Sequence, residues 1–304
     1  MFFINKVLRR VYSFLLNHFN EKIRKELLLE ATIQVTRRFF LEYKDAESMR
    51  RVVESHRYRK SIRPILLDVP EASNILIYAP HQDDETVGAG GTLLRCAIHG
   101  KRLKVIYVTD GASATKPTNQ KDHGSIRKEE AKMVWDFIGG VLPEFWDLPC
   151  RKIPLTQENA QIMREQIEES SAECIFIPFF LEAPLDHRRV NQLLLMAHRV
   201  RPLPESIQIW SYQVTSILSP NVMVDITELI DKNDIINDMW NSQNVSFNYS
   251  HFARGKAAYN SIYLNRERTA RPRRRYAEIF FVSGVKEYIS ILENYVDSLN
   301  TTGS

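Results

Sequence analysis

The sequence predicts an α/β protein, a doubly wound, mostly parallel sheet behind an N-terminal helical extension. Two observations predict it. From Pro70 onward, apolar runs of strand length alternate with segments of helical periodicity across short links, the pattern of a parallel sheet with helices on its faces. Ahead of Pro64 the chain is rich in charge mixed with Leu, Ile and Phe, and helical in pattern. The expected organisation is an extension over residues 1–68 and one large domain over residues 69–300.

Within the extension, Phe3, Val7, Leu8, Val11, Tyr12, Leu15, Leu16 and Phe19 recur at three-and-four spacing, with Lys6, Arg9, Arg10 and His18 off the stripe. This predicts an amphipathic helix over about residues 3–19. Two uses are open: packing on the body or on a second subunit in a homo-oligomer, or lying on a membrane surface as a peripheral contact. A second helical region runs over about residues 21–56. Residues 1–63 hold 15 Lys and Arg against 7 Asp and Glu, while the whole chain carries a net +4, so the positive charge belongs to the extension.

In the body, the strand candidates are Ile75–Tyr78, Lys104–Thr109, Phe145–Leu148, Cys174–Pro178 and Ile207–Gln213. Helical patterns intervene at Gly91–His99, Ser125–Ile138, Gln157–Glu169 and His187–Val200. In such a sheet, ligands bind beyond the carboxyl ends of the strands, where His81, Asp110 and the loop before His187 all fall. Gly88, Gly90 and Gly91 lack the spacing of a dinucleotide fingerprint and fit close helix approach better than phosphate binding.

Composition narrows the class. With 44% hydrophobic and 26% charged residues, the chain is neither disordered nor fibrous. Cys96, Cys150 and Cys174 are odd in number, far apart and in apolar settings, so neither a disulfide framework nor a thiolate zinc site is expected. No run of 18 or more apolar residues and no secretory leader is visible, which places the protein in the cytoplasm, with the inner face of the membrane as the alternative. Residues 266–275 carry six arginines around Pro272. They read either as a solvated loop or as a binder of something anionic, and nucleic acid is not expected because no aromatic residues interleave them.

The run Ile75-Leu76-Ile77-Tyr78-Ala79-Pro80-His81-Gln82-Asp83-Asp84-Glu85 sets a histidine and three acids directly after a strand. His81 and Asp84 can reach one ion from a single tight turn, leaving Asp83 free as a base. The competing reading is a polar loop whose acids cap the next helix.

The run resembles the PHPDDE signature of the PIG-L/LmbE-like family of zinc-dependent N-acetylglucosaminyl deacetylases, with Gln82 where that pattern has proline. Further pieces follow in family order: Gly88-Ala89-Gly90-Gly91-Thr92, the strand ending Thr109-Asp110-Gly111, Arg127-Lys128-Glu129-Glu130, Pro184-Leu185-Asp186-His187-Arg188, Ser242-Gln243 and Tyr276 to Phe280. The resemblance covers about residues 70–282 and implies a Rossmann-like fold. It also implies a hydrolase that removes acetyl from an N-acetylated amino sugar by zinc-activated water. His81, Asp84 and His187 would hold the ion, for which iron or manganese are also suited. Asp83 would be the general base, Arg127 and Asp110 substrate contacts, and Asp186 and Glu85 supports behind them.

One departure matters. Where the family reads D-x-H-P-D-H, this chain reads Glu182-Ala183-Pro184-Leu185-Asp186-His187, so Pro184 replaces a histidine that in the family lies close to the substrate and helps the developing oxyanion. The alternative is therefore a glycan-binding or scaffold protein that keeps the fold with impaired catalysis. His123, in a polar loop, and His251 are candidates to replace the missing group.

Overall fold

The strands of the computed structural model are built from residues whose side chains are apolar on both faces. In β2 (Asn74–Ala79), Leu76 and Tyr78 join one apolar layer while Ile75, Ile77 and Ala79 join the other. The same alternation runs through β5 (Cys174–Pro178), every residue of which is buried. Continuous burial of this kind is what a sheet covered on both sides requires. The structure describes residues 64–112, 123–245, 247–264 and 273–301. The amphipathic segment at 3–19, the second helical region and residues 266–272 of the arginine segment lie outside the described residues.

The other strands are β1 (Ile65–Leu67), β3 (Arg102–Thr109), β4 (Glu144–Leu148), β6 (Gln208–Tyr212), β7 (Val222–Asp225) and β8 (Ala277–Gly284). They form one sheet in the order β1-β7-β8-β6-β5-β2-β3-β4. Only β8 runs against its neighbours, between β6 and β7. The helices are α1 (Asp84–Ile98), α2 (His123–Gly139), α3 (Gln157–Glu169), α4 (Leu185–Val200), α5 (Ile230–Asp238), α6 (Tyr249–Asn260) and α7 (Val285–Thr301). Helices α3, α4 and α7 supply Met163, Leu193 and Tyr288 to one layer; α1, α2, α5 and α6 supply Leu93, Trp135, Ile236 and Ala257 to the other. The sheet is thus doubly wound. Among the described residues, no helix is long and apolar enough to cross a membrane.

Several boundaries differ from expectation. Ile65–Leu67, placed in the extension, is a strand that pairs with β7. His123 begins α2 instead of sitting in a polar loop. Helix α1 starts at Asp84, well before the glycines, because the Asp83 carbonyl accepts from Thr86 N and Val87 N at 3.1 and 2.9 Å. The glycines lie inside it, where α1 breaks at Ala89 (φ −145°). That break frees two backbone donors, Gly91 N and Thr92 N, which the buried Glu278 carboxylate of β8 accepts at 2.8 and 2.7 Å. Close approach is the glycines' purpose: a Cβ on Gly91 would lie 2.8 Å from Ile226.

The path of the chain fixes where a ligand sits. From β2 it winds outward through β3 and β4, then returns to lay β5 on the other side of β2. The crevice between the ends of β2 and β5 is the switch point at which such sheets bind ligands.

Candidate metal centre and cleft

The turn after β2 puts two adjacent acids to different uses. Asp83 has φ 145° and ψ −30°, outside the comfortable range of an L-residue, and its side chain makes no capping hydrogen bond to α1. Such a conformation costs about 1–3 kcal/mol and persists only where surroundings enforce it. Here they do. Thr109 N and Oγ1 hold the Pro80 carbonyl at 3.0 and 2.7 Å, and Gln82 Nε2 reaches the Thr109 carbonyl at 3.0 Å. Gln82 therefore fastens by hydrogen bonding a turn that the family pattern stiffens with proline. Gly111 (φ 63°) packs so tightly on it that a Cβ would lie 2.1 Å from Gln82 Oε1.

Asp84 points inward. Its Oδ2 lies 3.0 Å from His81 Nδ1 and 3.2 Å from His187 Nε2, and also accepts from His81 N at 2.9 Å. His187 arrives from the first turn of α4, across the switch point, and is almost fully buried. Donor atoms of His81, Asp84 and His187 all lie within 4.8 Å of one another. Two imidazoles and a carboxylate converging in this way suit a divalent ion such as zinc. The electrostatics agree. Burial works against charge on Asp84, yet the two imidazoles hold its carboxyl far below the usual range. Burial likewise opposes charge on His81, but Asp84 and Asp186 outweigh it and raise the imidazole well above its ordinary value. Positive charge is favoured at this point, so the residues fit a cation.

Asp83, in the same cleft, has a different partner. Arg127, buried on α2, donates to Asp83 Oδ2 at 2.9 Å and to the Gln82 carbonyl at 2.6 Å. Burial pushes the Asp83 carboxyl up, Arg127 pulls it down and Asp84 pushes it up again, leaving it at about 6. Arg127 is thus not a helix-surface residue; it lines the cleft and aims Asp83.

The cleft encloses about 430 Å³ and is lined by His81, Asp83, Asp84, Arg127, Asp186 and His187 together with residues not expected in the site. These include Cys150, Arg151, Thr215, Gln243 and Tyr249. Tyr249 opens α6, and burial followed by the Asp83 charge holds its hydroxyl protonated, with Asp83 as hydrogen-bond partner. The segment leading to it is anchored by Glu130, which accepts from Ser242 N and Oγ at 2.7 and 2.6 Å. Pro184 also lines the cleft, whereas His123 and His251 do not.

Other expected residues serve as framework. Asp110 Oδ1 accepts from Ala112 N at 2.9 Å and Cys150 N at 3.3 Å, so it braces the loop after β4. Glu85 is fully buried and accepts from Tyr107 and Trp135; burial pushes its carboxyl up to about 8. Asp186 Oδ2 lies 3.1 Å from His81 Nε2. Arg275, from the arginine segment, pairs with Asp225 at 2.6 Å.

Residues 76–198 match the family model described as PIG-L, GlcNAc-PI de-N-acetylase. Over those residues the chain is similar to the PIG-L family. The chain is also similar to the diacetylchitobiose deacetylase of Thermococcus kodakarensis, 24% identical over 179 residues. That match takes in 53% of this chain and 66% of the relative, just under two thirds of the relative's length. Among solved structures, the N,N′-diacetylchitobiose deacetylase of Pyrococcus horikoshii superimposes with a TM-score of 0.60 at 20% identity, over 70% of this chain and 85% of that one. GalB, the 4-carboxy-2-hydroxymuconate hydratase of Pseudomonas putida KT2440, gives a TM-score of 0.57 at 16% identity, over 68% and 95%. These likenesses establish the fold. A deacetylase and a hydratase on one fold also mean that the reaction has to be argued from the side chains.

Proposed function

We propose that the chain is a metal-dependent hydrolase that removes the acetyl group from an N-acetylated amino sugar, giving acetate and the free amine. One juxtaposition carries the reading: Asp83, poised at about 6, stands beside the His81, Asp84 and His187 donors at the wall of an open cleft. A structural metal site has no use for a strained, uncapped acid next to its ligands. The match to the PIG-L family model and the similarity to a diacetylchitobiose deacetylase support the substrate class.

Zinc held by His81, Asp84 and His187 would supply Lewis acidity to the amide carbonyl and bring the pKa of water from 15.7 to about 7. Asp83 accepts the proton of the attacking water; a carboxylate near 6 is matched to that task at neutral pH. Arg127 fixes the carboxylate's orientation through Oδ2. The proton Asp83 has gained then passes to the departing nitrogen, so that the amine leaves neutral. Tyr249, a protonated hydroxyl on the cleft wall, serves as the donor to the developing oxyanion in place of the histidine lost at Pro184.

The test is acetate release from N-acetylglucosamine and diacetylchitobiose by zinc-loaded protein, with and without chelator. Release that chelation stops and zinc restores is expected. Sugar binding without release would instead support the glycan-binding reading, which Pro184 favours.

A further inference from the structure

The His81 imidazole faces two ways. Its Nδ1 lies 3.0 Å from Asp84, within the set described above, while its Nε2 lies 3.1 Å from Asp186 Oδ2, and Cys150 is a further hydrogen-bond partner of the ring. Donor atoms of His81, Cys150 and Asp186 also lie within 4.8 Å of one another. This second set is built, not incidental. Asp186 is 2% exposed, and its Oδ1 has no hydrogen-bond donor. Cys150 sits half-buried on the cleft wall as a free thiol. Its loop is held from both sides: Asp110 Oδ1 takes Cys150 N, and Asp186 Oδ2 takes Arg151 N at 2.5 Å. Arg151 itself is at φ 64°, a left-handed conformation that keeps the thiol's loop against the cleft.

We propose that His81, Cys150 and Asp186 form a second cation site that competes with the His81, Asp84 and His187 set and selects soft divalent ions, zinc or cadmium over manganese. Nitrogen, thiolate and carboxylate donors suit zinc, and the thiolate biases the site toward soft ions. On binding, the Cys150 S–H bond breaks, its proton passes to solvent and a sulfur–metal bond forms; no electron is transferred. A neutral imidazole has a single lone pair to give, so an ion taken by Nε2 withdraws His81 from the other set. Excess soft metal should therefore inhibit the proposed hydrolysis, although the site's donors do not depend on that reading.

Metal-stripped full-length protein titrated with cadmium alone, and followed by the ultraviolet sulfur-to-cadmium charge-transfer band, reads the thiolate directly without substrate or turnover. The band should appear in wild type, disappear in Cys150→Ser and persist in His187→Ala. Cadmium affinity should fall at least tenfold in Asp186→Asn. A melting curve on each variant confirms that it is folded. No band in wild type, or a band that survives in folded Cys150→Ser, would overturn the site. Manganese displacing cadmium at equal concentration would overturn its softness. If the band behaves as expected while no acetate is released from any sugar, the deacetylase reading fails and this site stands.

Discussion

The turn after β2, residues 80–85, holds Asp83 at φ 145° and leaves its carboxylate out of helix capping. The turn after β5, residues 179–187, lies beside it with no left-handed residue, and Pro184 starts α4 at φ −65° and ψ 137°. The second turn is braced instead of strained. The buried Glu182 carboxylate accepts from Val214 N at 2.7 Å, Thr215 N at 3.0 Å, Thr215 Oγ1 at 2.9 Å and Ser216 N at 3.2 Å, and Arg188 ties down the Glu182 and Ala183 carbonyls at 3.0 and 2.6 Å. The difference follows from what each turn delivers. One places two consecutive acids on different partners, Asp84 on the imidazoles and Asp83 toward Arg127 and the cleft, which ordinary helix-start angles do not allow. The other delivers one ligand, His187, and needs only rigidity.

The sharpest way to break the contrast is Asp83→Asn. Asn keeps the shape and tolerates positive φ, so the fold and the metal content should survive. As a base it is useless, and kcat should fall by about 10²–10⁴-fold. Metal analysis beside kinetics separates this from loss of a ligand, since His187→Ala should lose both activity and bound metal. An Asp83→Asn variant with full turnover would remove Asp83 from the proposed chemistry.

The β2 side of the candidate site was readable because its residues are local: His81, Asp83 and Asp84 share one turn after an unmistakable strand, and the central strands declare themselves by continuous apolar runs. The same logic explains what was missed. Cys150 in an apolar context looked inert, and only the braces from Asp110 and Asp186, distant in sequence, bring it to His81. Tyr249 is one tyrosine among 12 in the sequence, and nothing local marks it. Edge strand β1 is three residues long, and β8 draws its place from packing between β6 and β7, information that no window of sequence contains. Asp110 and Arg127 stood out from local sequence, but their protein partners, backbone groups for the one and Asp83 and backbone carbonyls for the other, did not.

A second, smaller effect is expected on the braced side. Glu182→Ala strips the acceptor from three successive backbone N–H groups, those of Val214 and Ser216 buried, and should destabilise the protein by about 3 kcal/mol, measured by denaturant unfolding. Because residues 214 and 215 line the cleft, KM should rise more than kcat falls. Glu182→Gln retains one acceptor oxygen and should recover part of both losses. If Glu182→Ala lowered kcat as severely as Asp83→Asn without loosening the fold, the division between a reactive turn and a supporting one would be wrong.

The smallest expected effect tests the floor beneath the reactive turn. Glu85, next to Asp84, accepts from both Tyr107 and Trp135 through Oε1, and burial pushes its carboxyl from the ordinary 4.5 up to about 8. Its folded form therefore holds a proton that its unfolded form has released across that interval. The stability this gives is complete below about 4.5 and is lost as pH rises through about 8. Glutamine in its place accepts the same two hydrogen bonds and cannot ionise. Between about pH 5 and pH 8, chelator-treated Glu85→Gln should gain about 2 kcal/mol on wild type, below the ceiling of about 1.4 kcal/mol per pH unit. Melting temperatures of the two proteins across that range measure the gain. Parallel curves would mean that Glu85 is already charged when folded, and that three acids in succession, not two, carry charge at the turn where Asp83 is held in strain.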